Sequence, residues 1–267
     1  MPDDRVDPSA PTSRQVLFGL GMDPVTLDEA VTRCRVALDE DRRMLVGVVN
    51  AAKVVHLRSD TMLRDSLLEC DLLLADGMSV VWASRILRRP LPERVAGIDL
   101  FEALLDLAHR ENRSVYLLGA KAEVLERMVA VIHGRWPGLV VAGCRDGYFT
   151  DEEAAAVAAD IRSTRPDMLF LGITSPKKEI FLATHGASLG VPVLHGVGGS
   201  FDVLSGVTRR APERWRRLGM EWAFRLVQEP RRLWRRYLVT NSAFIALVAR
   251  DLVRPTSPYT RSESTHG

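Results

Sequence analysis

No run of about 18 apolar residues occurs in the 267-residue sequence, so no segment reads as a helix that crosses a bilayer. The first fourteen residues, Met1 to Arg14, carry three prolines and three aspartates with no apolar stretch among them. They read as neither a signal peptide nor a folded element, and residues 1–14 are taken as a disordered N-terminus. Cysteine is scarce: Cys34, Cys70 and Cys144 lie far apart and fit no metal-ligand spacing and no C-x-x-C motif. They read as reduced thiols of a cytosolic protein. A dinucleotide fingerprint is missing too, since Gly19-Leu20-Gly21-Met22-Asp23-Pro24 lacks its third glycine and closes on proline. There is no P-loop and no internal repeat. Lysine is absent from residues 207–254, where twelve arginines stand against four acids.

That last absence exposes the charge distribution. The whole chain carries a formal charge of only +2, yet residues 207–254 alone carry +8, which leaves −6 on the remainder. An acidic body with a basic C-terminal arm points to an anionic partner. The composition, 46% hydrophobic and 26% charged, is that of a globular protein.

Short apolar runs alternate with helical patterns along the body. Strands are expected at Gln15–Leu20, Met44–Asn50, Asp71–Ala75, Ser114–Gly119, Leu139–Gly143, Asp167–Ile173 and Val191–Gly196. Helices are expected at Leu27–Glu40, Thr61–Glu69, Ser79–Leu87, Leu100–Glu111, Ala122–Arg135, Asp151–Ser163 and Lys177–Leu189. Thr26 with Glu29 and Thr150 with Glu153 form capping boxes at two of the starts. Several strands are apolar on both faces, which fits an α/β fold with a mostly parallel sheet between two helix layers. After Gly206, helices are expected over Pro212–Gln228 and Arg231–Val253, with Pro230 marking the break. The division is a catalytic α/β unit over 15–206, a basic helical appendage over 207–254 and a disordered tail over 255–267. The second arm helix mixes arginines with Leu233, Trp234, Tyr237 and Leu238. It suits either a membrane surface or packing on the body.

Ligands of such sheets sit beyond the carboxyl ends of the strands, and three of those ends are unusual. After Leu72-Leu73-Leu74-Ala75 come Asp76 and Gly77. A partly desolvated carboxylate there suits a general base, or equally an Asp-Gly turn that caps the next helix. The run His195-Gly196-Val197-Gly198-Gly199-Ser200-Phe201-Asp202 offers backbone amides to a phosphate, or is simply a tight turn. His195 reads as a satisfied buried histidine. Thr174-Ser175-Pro176-Lys177-Lys178-Glu179 opens a helix, either as an anion seat or as a capped start with solvated lysines. Arg94 and Asp99 flank a short loop and either hold sugar hydroxyls or pair with each other.

Jointly these stretches resemble the WecG/TagA/CpsF family of glycosyltransferases over about Val16 to Val253. The matching segments are ADGMSVVWASRILRRPLPERVAGIDL, GRWPGLVVAGCRDGYF, SPKKE, GVGGSFDVLSGVTRRAPERW and LGMEWAFRLVQEPRRLWRRY, in family order. The resemblance implies a Rossmann-like body and an inverting, metal-independent transfer with no cofactor. The donor would be a UDP-sugar carrying N-acetylmannosamine, its uronate or a hexose, and the acceptor a polyprenyl-diphosphate-linked sugar. It further implies use in bacterial cell-surface polysaccharide or teichoic acid synthesis. The appendage would engage an anionic membrane at the inner face of the cell membrane.

On the matching positions, the resemblance makes Asp76 the catalytic base and Asn50 an active-site asparagine. Arg225, Arg232 and Arg235 become arginines that close over the site and stabilise the diphosphate leaving group. Gly77, Arg94, Asp99, Lys178, Glu179, Gly198, Gly199, Ser200 and Asp202 are the further substrate-binding candidates. Two positions depart from the family pattern: Val48 replaces a common threonine, and Lys178 stands where glutamine is usual, which leaves donor identity open. The competing readings are a nucleotide-sugar-modifying enzyme and a nucleic-acid binder using the arginine arm. The first lacks the dinucleotide fingerprint, and in the second the acidic body would repel a duplex. No nucleic-acid partner is expected, and the oligomeric state is left open.

Overall fold

In the computed structural model the described residues are 13–217 and 219–260, with residues 217, 225, 232, 233 and 236 described by their backbone alone. Six parallel strands form the sheet: β3 (Met44–Val49), β4 (Leu72–Ala75), β5 (Ser114–Gly119), β6 (Val140–Arg145), β7 (Met168–Gly172) and β8 (Val193–Gly196). Their order is β4-β3-β8-β7-β5-β6. Strands such as β7, with Met168 through Leu171 fully buried, are apolar on both faces because a helix layer covers each. One layer holds α1 (Leu27–Asp39), α5 (Gly97–Arg110), α6 (Ala122–Arg135) and the short α9 (Ser200–Leu204). The other holds α2 (Ala51–His56), α3 (Thr61–Leu68), α4 (Met78–Ile86), α7 (Ala154–Thr164) and α8 (Lys177–His185). The Thr26–Glu29 capping box is formed at the start of α1, and Thr150 and Glu153 exchange the same pair of bonds ahead of α7.

The first expected strand is instead a hairpin outside the main sheet, β1 (Gln15–Leu17) paired antiparallel with β2 (Leu20–Met22). Phe18 and Gly19 turn the chain with φ of 54° and 81°, a left-handed pair that reverses direction within two residues. Asp23 ties this hairpin to β4: its backbone N–H donates to the Leu73 carbonyl and its carboxylate accepts from the Leu73 N–H at 2.8 Å. Arg14 and Arg33 neutralise the buried Asp23 carboxylate, each at 3.2 Å.

The arm differs from expectation in two ways. The first helical stretch is two helices, α10 (Glu213–Arg217) and α11 (Glu221–Gln228), separated around Gly219. That glycine has φ of 69° and lies so close to Met78 on α4 that an added Cβ would come within 2.3 Å of it. The long α12 (Pro230–Val253) begins with its proline in the first turn, where no N–H is needed. Its second half docks on the body against α2 and α4, with Phe244 buried 5.4 Å from the Phe18 ring. Residues 255–260, expected within a loose tail, are laid back on the hairpin. The Tyr259 N–H donates to the Gly19 carbonyl at 2.8 Å, and Arg64 covers its ring at 5.2 Å. Only a glycine leaves room for Tyr259 at that point. The expected disorder of residues 1–12 and 261–267 lies outside the described residues.

Candidate active site

The chain leaves β3 outward to β4, whereas β8 arrives from β7 on the other side, so a crevice opens between the carboxyl ends of β3 and β8. Asn50 follows β3 directly. Its Oδ1 accepts from the Lys53 N–H at 3.1 Å and so caps α2, a short helix not foreseen in the sequence. One strand over, the Asp76 N–H donates to the Val49 carbonyl at 2.8 Å. The Asp76 carboxylate does not cap α4, whose N-terminal cap is Gly77 without a side-chain bond. It accepts instead from the Gly97 N–H at 3.1 Å, the first residue of α5, where the helix dipole favours negative charge. Gly77 keeps its bare backbone against Asn50, and a Cβ there would stand 3.7 Å from that of Asn50. Val48 is buried, packed where Gly97 comes close.

Lys53 is the group the sequence reading overlooked. Its side chain folds back so that Nζ donates to the Val48 carbonyl at 2.7 Å, inside the β3–β8 crevice. Burial and the neighbouring Lys178 ammonium lower its pKa to about 8. Lys178 lies along the backbone of Gly196 at the end of β8, and its Nζ pairs with Glu179 Oε1 at 3.0 Å. Burial alone would push the Glu179 carboxyl up, but Lys178 and Ser175 outweigh it and hold it below the usual carboxylate range. Lys177 is turned away, with its ammonium 3.7 Å from the Phe149 ring centre and bonded to the Gly147 carbonyl at 2.9 Å. Of the two lysines expected at this helix start, one faces the crevice.

His195 is fully buried in β8, with Nε2 3.1 Å from the Gly97 carbonyl oxygen. Desolvation lowers its pKa to about 4, so the ring is neutral and Nε2–H is the donor of that contact. This is the structural histidine that the sequence suggested. Beyond it, the Ser200 hydroxyl and N–H both donate to the Val197 carbonyl, at 2.7 and 3.1 Å, so the turn satisfies them internally. Gly198 and Gly199 remain exposed, and the Asp202 carbonyl accepts from the Thr208 N–H at 2.9 Å.

Arg94 and Asp99 do pair, at 3.3 Å, and the arm joins them. Arg94 donates to Glu221 of α11 at 2.6 Å, while Arg210 bonds Asp99 and Arg216 lies 3.9 Å from it. Arg235 is exposed beside the Trp234 ring, at 5.7 Å. The side chains of Arg225 and Arg232 lie outside the described residues. Asn50, Lys53, Asp76, Gly77, Lys178 and Glu179 therefore gather at the ends of β3, β4 and β8, with Arg94 and Asp99 at their margin by the start of α5.

Among the described residues no group of three or more His, Cys, Asp or Glu side chains is placed to hold a metal ion. The one Asp-x-Asp spacing in the chain, Asp39-Glu40-Asp41, ends α1 at the amino ends of the strands, away from the crevice, where Asp39 pairs with Arg113 at 2.6 Å. No helix among those residues is long and apolar enough to cross a membrane.

A model of the glycosyl transferase WecG/TagA/CpsF family matches residues 15–258, the hairpin, the sheet and the arm together. The chain belongs to this family. It is therefore a glycosyltransferase. Two relatives share its span: an N-acetylglucosaminyldiphosphoundecaprenol N-acetyl-beta-D-mannosaminyltransferase of Bacillus spizizenii is 32% identical over 232 residues, 86% of this chain and 89% of that one. A transferase of the same name from Bacillus subtilis is 32% identical over 229 residues, 86% of this chain and 88% of that one. The WecG/TagA/CpsF match covers every element that carries the crevice.

Proposed function

We propose that this WecG/TagA/CpsF-family enzyme moves N-acetylmannosamine, or a related sugar, from UDP to a polyprenyl-diphosphate-linked N-acetylglucosamine. The observation that carries the reading is Asp76 at the crevice between β3 and β8, set by the Gly97 N–H beside Asn50. The relatives' printed activity supports the sugar and the lipid-linked acceptor. In the step itself, the acceptor hydroxyl oxygen attacks the anomeric carbon and its proton passes to the Asp76 carboxylate. The bond from that carbon to the diphosphate oxygen breaks, and the electron pair leaves with UDP. UDP-sugars of this kind are α-linked, so a β product of the type the relatives' names specify requires inversion. Arg225, Arg232 and Arg235 are assigned to the leaving diphosphate, whose developing charge a metal would otherwise offset.

Residues 15–206 carry the base in this reading, and 207–254 supply the arginines for the leaving group and hold the enzyme at the inner face of the membrane. Exposed Trp234, Leu238 and Val239 stand among the arginines of α12, and such apolar residues favour a lipid surface over nucleic acid. The experiment incubates the full chain with a panel of UDP-sugars and a short prenyl-diphosphate N-acetylglucosamine, and follows UDP release and product mass. UDP-N-acetylmannosamine is expected to give a single β-linked product, in excess EDTA as well as without it. Transfer only from another class of nucleotide would sink the donor assignment, and a requirement for added Mg²⁺ or Mn²⁺ would sink the role of the arginines.

A further inference from the structure

The corner between α10 and α11 touches two segments of the body that border Asp76, one in sequence and one in space. Gly219 makes the first contact. Its N–H donates to the Arg216 carbonyl at 3.0 Å, and the Met220 N–H to the Trp215 carbonyl at 2.8 Å. These two bonds end α10 and need the left-handed φ of 69° that Gly219 has. The bare Cα of this glycine lies against the Met78 side chain, and Met78 is two residues beyond Asp76.

The second contact is with residues 94–99. The Val95 N–H donates to the Ala75 carbonyl at 2.9 Å and the Gly97 N–H to the Asp76 carboxylate at 3.1 Å. This segment is therefore laced to the end of β4 and to the carboxylate itself. Arg94 and Asp99, which bracket it, are held by the arm. Arg94 gives one nitrogen to Glu221 at 2.6 Å and another to Asp99 at 3.3 Å. Arg210 bonds Asp99 and reaches Glu102 at 3.7 Å, while Arg216 lies 3.9 Å from Asp99. Three arginines thus meet three carboxylates, and the group adds no net charge beside a crevice that must admit an anion. The Arg94 side chain is 12% exposed and that of Glu221 23%, so solvent screens this pair less than it screens a surface pair.

We propose that Glu221 and Arg210 of the arm are positioning residues for the base: with Gly219 they clamp Met78 on one side of Asp76 and residues 94–99 on the other, and so fix its carboxylate for proton transfer. The inference rests on the assignment of Asp76 as base. A general base has to stand within hydrogen-bond reach of the proton it takes, and a displacement of about 1 Å can cost about 100-fold. The Gly97 N–H that orients the carboxylate lies between the two residues the arm holds, Arg94 and Asp99. A shift of the corner is therefore felt at the base, through contacts separate from the arginines assigned to the leaving group.

The test is a double-mutant cycle on the full chain with UDP-N-acetylmannosamine and the short acceptor, comparing wild type, Glu221→Gln, Asp76→Asn and the double variant. Single-turnover rates with enzyme in excess keep the slow variants measurable. Glu221→Gln keeps the side-chain shape and should lower the rate at saturating donor about tenfold, with half-saturation by the donor changed less than about twofold. In the Asp76→Asn background the same substitution should cost less than about twofold, because the group through which it acts is gone. Arg210→Gln should repeat both results, and it carries the test if Glu221→Gln does not fold. An equal loss with and without the Asp76 carboxylate would overturn the proposal and assign the corner to the leaving group. So would an unchanged rate in the single variants, or a loss confined to donor affinity. Normal turnover in Asp76→Asn alone removes the base and this inference together. A slow Asp76→Asn with additive losses removes only the role of the corner.

Discussion

The crevice and the arm both depend on charge, and they hold it in opposite ways. In the crevice each described ionic or polar group has a short, fixed partner: Asp76 the Gly97 N–H, Lys53 the Val48 carbonyl, Lys178 the Glu179 carboxylate, His195 the Gly97 carbonyl. Along the first half of α12, Arg231 and Arg235 are exposed beside Trp234, Leu238 and Val239, which are 51%, 61% and 68% exposed. Burial shields a charge from salt and makes its protonation sensitive to surroundings, whereas exposure does the reverse. The crevice should therefore answer to pH and the arm to ionic strength.

The largest expected effect lies in the crevice. Asp76→Asn keeps the shape of the side chain and removes its basicity, so kcat should fall about 100-fold or more while donor binding, measured by calorimetry, survives. Near-normal turnover would return Asp76 to a purely structural partner of α5. Next in size is the acid response of His195. Its folded pKa is about 4 against an ordinary 6.5, so the unfolded chain binds the extra proton first as pH falls between those values. Stability from this group is present above pH 6.5 and is lost towards pH 4, by up to about 3 kcal/mol. Urea unfolding across that window checks it, and the slope should flatten in His195→Gln; an unchanged slope would place the acid sensitivity elsewhere.

Effects on the arm should be smaller and should vanish in high salt. Arg231→Glu is expected to weaken binding to anionic vesicles roughly fivefold or more, at about 1 kcal/mol per basic residue, and to spare turnover on the short soluble acceptor. Equal losses on soluble and membrane-bound acceptors would erase the distinction between the two regions. Smallest is Lys178→Gln, which restores the amide usual in the family and should shift preference between acidic and neutral sugar donors about threefold to tenfold. Unchanged selectivity would leave Lys178 as the partner of Glu179 alone.

How far the sequence could be read follows the same divide. The central strands of the main sheet are legible because a run such as Met168-Leu169-Phe170-Leu171 is apolar whichever way it faces, and burial on both sides demands that. The β1–β2 hairpin was not, since its turn rests on a left-handed Phe18, a residue that carries no turn signature. Asp76 could be found from its place after a strand, but not its partner, because Gly97 lies on another helix. Lys53 leaves no signal in the sequence, since residues 51–56 fall in no expected element and a lysine there reads as solvated; only the backward fold of its side chain onto β3 reveals otherwise. For Arg94 and Asp99 the sequence leaves pairing and sugar binding equally open, and the arm residues that join their pair come from far along the chain and leave no local pattern. The docking of Phe244 was open in the sequence, because one amphipathic stripe serves equally a membrane or a protein surface.

The bond from the Tyr259 N–H to Gly19 has a mechanical consequence. It buckles the far end of the arm to the β1–β2 hairpin, and the hairpin is pinned through Asp23 to β4, the strand that ends in Asp76. A tug on α12 therefore has a second route into the body besides the packing of Phe244. Load arriving at the buckle runs along the hairpin to the strand that ends at Asp76.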